Sequence, residues 1–84
     1  MLNKTYLANG VCVYSNEDFI VTCNGRAMKI TCRIDKAKRR ALVAVTKDLR
    51  NVRRSYKNGS VVILFVTIPE NEMVDLLGKI KAIL

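Results

Sequence analysis

Ser60 to Ile68, which reads Ser-Val-Val-Ile-Leu-Phe-Val-Thr-Ile, constrains this chain more than any other segment. Large apolar and β-branched side chains follow one another there without polar alternation. A strand with one solvated face would alternate, so the run predicts a central strand buried on both faces. Pro69 ends it and suits the first turn of a following helix. That helix, expected from about Glu70 to Leu84, would carry Met73, Leu76, Leu77, Ile80, Ile83 and Leu84 on one side. Glu70 and Glu72 in its first turn and Lys79 and Lys81 in its last complement the helix dipole.

The first third of the chain supplies partners for that strand. Asn9-Gly10 and Asn24-Gly25 each stand between β-prone segments. Asn-Gly favours a two-residue hairpin turn because both central residues of a type I′ turn need positive φ. A turn centred on Asn24-Gly25 pairs Val21 with Met28, Phe19 with Ile30, Ile20 with Lys29 and Thr22 with Ala27. The return strand alternates, with Met28, Ile30, Cys32 and Ile34 inward and Lys29, Thr31 and Arg33 outward. A turn centred on Asn9-Gly10 pairs Tyr6 with Val13 and Leu7 with Cys12. Ser15-Asn16-Glu17-Asp18, polar throughout, reads as the turn between the hairpins.

Between Asp35 and Lys57 the apolar residues Leu42, Val45, Leu49, Val52 and Tyr56 recur at helical spacing. One long helix is therefore expected, capped by Asp35, starting at Lys36 and stopped by Asn58-Gly59. The alternative is a strand at 41–46 followed by a helix at 47–57. The fold class that follows is α+β: a mainly antiparallel sheet of four to five strands with two amphipathic helices packed against it. At 84 residues the chain should form one domain, 1–84. A domain of that size buries only about 60% of its unfolded surface, so homodimerisation would be a ready way to gain stability.

The net charge of +8 is segregated. From Arg26 to Lys57 there are twelve basic residues against two acids, Asp35 and Asp48, leaving +10; the remainder has three basic residues and five acids, leaving −2. On the expected helix, Lys36, Arg39, Arg40, Lys47, Arg50, Arg53, Arg54 and Lys57 fall within an arc of roughly 140°, opposite the apolar face. Lys38 strays from that arc. Lys29 and Arg33, outward on the second hairpin, could extend the cationic surface. A solubility face usually mixes signs, whereas here like charges recur at i and i+4 and repel one another. A polyanion would offset that repulsion and release counterions on binding. Arginine's planar fork suits phosphate and guanine. The expected partner is therefore DNA or RNA, held mainly through phosphates, with an acidic protein surface as the alternative. Few aromatic residues are available for stacking, which favours duplex or backbone recognition over single strands. Reversing Arg50 and Arg54 to glutamate is the obvious test of such a helix.

Other classes find little support. With no histidine there is no imidazole base and no Ser-His or Cys-His dyad. No phosphate-binding glycine loop occurs. The three cysteines, Cys12, Cys23 and Cys32, form no C-x-x-C pair and lie in apolar stretches, as reduced, structural thiols do. Neither an enzyme nor a bound cofactor or metal is expected. The N-terminus lacks a signal-peptide core, and no apolar run approaches the roughly 20 residues that span a bilayer. A cytoplasmic, reducing location follows as an expectation, with no membrane partner. The compact, basic, histidine-free character suits a small regulator, viral or plasmid-borne.

Overall fold

The computed structural model describes residues 3–49, 51–57 and 60–84. Six strands form one antiparallel sheet: β1 (Asn3–Tyr6), β2 (Val11–Ser15), β3 (Phe19–Asn24), β4 (Ala27–Arg33), β5 (Arg53–Lys57) and β6 (Val61–Thr67). Their spatial order is β1-β2-β3-β4-β6-β5. Two helices follow β4 and β6 respectively, α1 (Arg39–Thr46) and α2 (Glu70–Lys81), with a 3-10 turn at Lys36–Lys38 leading into α1. The class is α+β as expected, with six strands in place of four to five. β1 to β4 form a meander. The chain then crosses by way of α1 to the far edge, where β5 turns back through β6 into the gap beside β4.

The Asn-Gly signals lie at real turns, but neither sets the expected register. The second hairpin closes with Gly25 and Arg26 as its central pair, so Asn24 meets Ala27, Cys23 meets Met28 and Val21 meets Ile30. Gly25 has φ +63° while Arg26 stays out of the positive-φ region. That pattern matches a type II′ turn, which wants glycine first. The slip of two residues preserves the faces: Met28, Ile30, Cys32 and Ile34 are all buried. At the first turn Asn9 and Gly10 both take positive φ, but inside a 3-10 turn closed by the Leu7 amide donating to the Val11 carbonyl at 2.7 Å. Tyr6 therefore meets Cys12, one residue from the expected Val13. Between these hairpins, Asn16 Oδ1 accepts from the amides of Asp18 and Phe19, both at 2.8 Å, which makes the anticipated polar turn.

The long helix at 36–57 is not formed, nor is a strand at 41–46 or a helix at 47–57. Helix α1 ends at Thr46, Asn51 takes a left-handed conformation (φ 57°), and Arg53–Lys57 pairs with the outer edge of β6. The reason is tertiary. Without β5, an apolar β6 would present its backbone as a bare sheet edge. The cations at 47–57 would also repel one another as one helix. Leu42, Val45, Leu49 and Val52 still reach the core, piecewise, from a helix, a turn and the approach to a strand. Asp35 precedes the 3-10 turn but makes no side-chain cap. The expected stop at Asn58-Gly59 lies outside the described residues.

One face of the sheet carries the core. Val21, Ile30, Val62 and Leu64 have no exposed surface, and Leu42 from α1 with Met73 and Ile80 from α2 close over them. At the sheet's N-terminal edge the Tyr14 hydroxyl donates to Glu70 Oε1, and Lys4 Nζ reaches the same oxygen at 3.3 Å. The Tyr14 hydroxyl and then Lys4 hold the Glu70 carboxyl below its usual pKa. At the other end of α2, Lys81 bonds to Asp18 in the β2–β3 loop, which raises the lysine's pKa. Burial raises the Cys23 thiol and pushes Cys32 up to about 11, so both stay protonated at neutral pH.

Candidate functional site

No helix lies over the second face of the sheet among the described residues. Strand alternation and register place on it Val11, Val13, Ile20 and Thr22 from β2 and β3, then Lys29, Thr31 and Arg33 from β4. β6 adds Val61, Ile63 and Phe65, and β5 adds Arg53, Ser55 and Lys57. The burial pattern of β6 alternates between half-buried and buried residues. The run expected to be buried on both faces is thus covered on one only. Its other side chains shield each other partly, and nearby Ile20 is 53% exposed.

The cations on this face are arranged in two rows by the register. Lys29, Phe65 and Arg53 lie side by side across three strands; four residues along, Arg33, Val61 and Lys57 do the same. Thr31, Ile63 and Ser55 fill the row between. Each row sets its two cations two strand spacings apart, about 10 Å, and the rows are separated by about 13 Å along the strands. Four cations therefore frame an apolar centre. Among the described residues no strand contains an acidic side chain, and the ion pair Lys4–Glu70 lies on the covered side, where Lys4 stands opposite Tyr14. Glu17 and Asp18 come nearest: they line, with Ile20, Thr31, Arg33 and Val61, a hollow of about 390 Å³ at one end. A second hollow, of about 290 Å³, lies beside Phe65 and is bordered by Thr22, Asn24, Lys29, Asn51 and Thr67, with no carboxylate in its lining. The Arg53 guanidinium sits over the Phe65 ring at 5.3 Å from its centroid.

The eight cations expected on one helix arc are divided between the layers. Arg53 and Lys57 join Lys29 and Arg33 on the open face. Lys36, Arg40 and Lys47 are exposed on the 3-10 turn, α1 and the turn after it. Arg54 points the other way and is half-buried; its Nε and Nη2 donate to the Thr46 hydroxyl at 2.9 and 2.7 Å. Arg39 lies over the Tyr56 ring at 4.3 Å. Lys38 donates to the Leu84 carbonyl at 2.6 Å. Arg50 lies outside the described residues. Reversing Arg54 would therefore remove a fold contact as well as a charge. Phe65 and its neighbours Val61 and Ile63 were hidden from a sequence reading that assigned the whole run to the interior. The signal that could have found them was the outward alternation of Lys29, Thr31 and Arg33 on the strand that pairs with β6.

Among the described residues no three metal-ligating side chains cluster, and no helix is long and apolar enough to cross a membrane. The chain finds no match among protein-family models, curated proteins or solved structures. What fold and site define together is an α+β protein with a framed, cationic, uncovered sheet face.

Proposed function

We propose that this protein is a non-enzymatic nucleic-acid-binding regulator whose binding surface is the uncovered sheet face. The observation that carries the reading is the framing of an apolar centre by Lys29, Arg33, Arg53 and Lys57 on strands without a carboxylate. Clustered cations gain counterion-release free energy from a phosphate chain. The cations of the helical side, Lys36, Arg40 and Lys47, add to the long-range attraction without sharing the surface.

At most four phosphate contacts predict a slope no steeper than about −3 on a single strand and about −4 on a duplex for log affinity against log salt. Fluorescence anisotropy with labelled oligonucleotides at about 50 mM salt is the direct measurement, since phosphate contacts are strong there. Lys29→Glu with Arg53→Glu should abolish binding while leaving thermal unfolding near that of the native protein. Lys36→Glu with Arg40→Glu should cost only a few-fold. Absence of any binding by the native protein at this salt would sink the proposal. Equal losses from both double variants would move the site off the sheet.

A further inference from the structure

Resting on that reading, we infer that the ligand is a single strand, with a base stacked on Phe65 and its edge in the hollow beside that ring. The shape of the surface separates single strands from duplex. Six strands at about 4.8 Å spacing make a face roughly 24 Å wide, twice the width of a major groove of about 12 Å. Such a face meets a duplex only at its backbone, and its apolar centre would gain nothing there. A single strand offers both of its chemistries at once: phosphates for the flanking cations and unpaired base faces for the apolar row.

Phe65 is the aromatic group placed for this. It stands on β6, off the sheet edge, with Lys29 and Arg53 on the strands to either side. Arg53 adds a cationic plane to the ring, and planar guanidinium groups also stack with bases. The neighbouring hollow has Phe65 and Lys29 in its lining, and Phe65 is half-buried rather than enclosed. Asn24, Asn51, Thr22 and Thr67 border the same space with amide and hydroxyl groups. Those groups can exchange hydrogen bonds with a base edge. The opposite hollow sets Glu17 and Asp18 beside Arg33, so the cation there faces carboxylates that the hollow beside Phe65 lacks. The strand is therefore centred on the row Lys29–Phe65–Arg53 and passes toward Lys57.

A second copy of the chain is the competing occupant of an uncovered apolar face. A two-fold pairing sets a patch against itself. Here that would bring the four cations of one copy against the four of the other, with no strand carboxylate to separate them. The charge favours the polyanion.

The test compares 12-nucleotide oligo-dT and oligo-U single strands with a duplex of the same length. It uses the full chain, its Phe65→Leu and Phe65→Tyr variants, and sedimentation of the unliganded protein. Phe65→Leu keeps an apolar side chain but removes the ring; it should weaken single-strand binding roughly tenfold while leaving duplex affinity and the salt slope unchanged. Phe65→Tyr should restore single-strand affinity to within about twofold, because the ring is retained. Unchanged single-strand binding by Phe65→Leu, duplex binding as tight as single-strand binding, or a stable dimer that Ile63→Glu dissociates would each overturn this inference. The first two of those results leave the cationic face as a nucleic-acid site; failure of every oligonucleotide to bind would instead remove the functional reading itself.

Discussion

Along β6, Val62, Leu64 and Val66 enter a core where no more than 3% of each is exposed, while Val61, Ile63 and Phe65, each one residue away, lie under no second layer among the described residues. The composition of the two rows is nearly the same, so hydrophobicity alone does not decide which becomes interior. The difference lies in what the neighbouring strands bring to each face. On the covered side, Ile30 and Val21 continue the apolar surface and both helices close on it. On the other, Lys29, Arg33, Arg53 and Lys57 surround it, and an apolar helix docking there would have to desolvate four ammonium and guanidinium groups. Cations thus keep the second face open as well as giving it a charge.

The sharpest way to break this contrast is to truncate adjacent residues. Leu64→Ala should cost about 2–5 kcal/mol, the range for a fully buried leucine, whereas Ile63→Ala should cost about 1 kcal/mol, as partly exposed sites do. Urea denaturation measures both. Equal costs would mean that something covers the open face in solution. The next effect tests how the covered side accommodates polar groups. Thr46 has no exposed surface, its hydroxyl donates to the Leu42 carbonyl at 2.8 Å, and it accepts from Arg54. Thr46→Val should lower stability by about 1–3 kcal/mol, because Arg54 would lose its acceptor. Adding Arg54→Met should recover part of that loss in a double-mutant cycle. The smallest effect is at the margin of the covered face. Glu70 is held ionised below the usual carboxylate range by Tyr14 and then Lys4, so its stabilisation is present above the unfolded carboxyl pKa. It is lost as pH falls through the lower folded value. Glu70→Gln should flatten that part of the acid limb in a plot of thermal midpoint against pH; an unchanged limb would show that the tie contributes nothing.

Much of the covered layer could be read from the sequence because each of its signals is local. The alternation from Met28 to Ile34 survives a two-residue slip in the turn, since a shift of two leaves every side chain on its own face. The second helix was legible from Pro69, the acidic first turn and the 3–4 spacing of Met73, Leu76, Leu77 and Ile80. The stretch at 47–57 was not, because its local period is helical while its fate is set by the edge of β6, a strand that follows it. The same blind spot governs the site. The segregation of cations into the middle third was visible, but their assignment to one helix was not realised. Four of the ten expected residues converge on the open face through strand register, and Arg54 and Arg39 engage Thr46 and Tyr56 instead.

The strand order also bears on what can pair first during synthesis. β1 to β4 meet through short turns and can assemble as a meander as soon as they emerge, since chains are made from the N-terminus. β6, the strand that completes β4, comes only after the connection from Ile34 to Ser60 has been made and closed. Until then β4 is an unfinished border with Met28, Ile30 and Cys32 along it, the kind of border that recruits other nascent chains. Lys29, Thr31 and Arg33 alternate with those three residues, so the waiting strand carries two cations of its own as a guard against premature pairing.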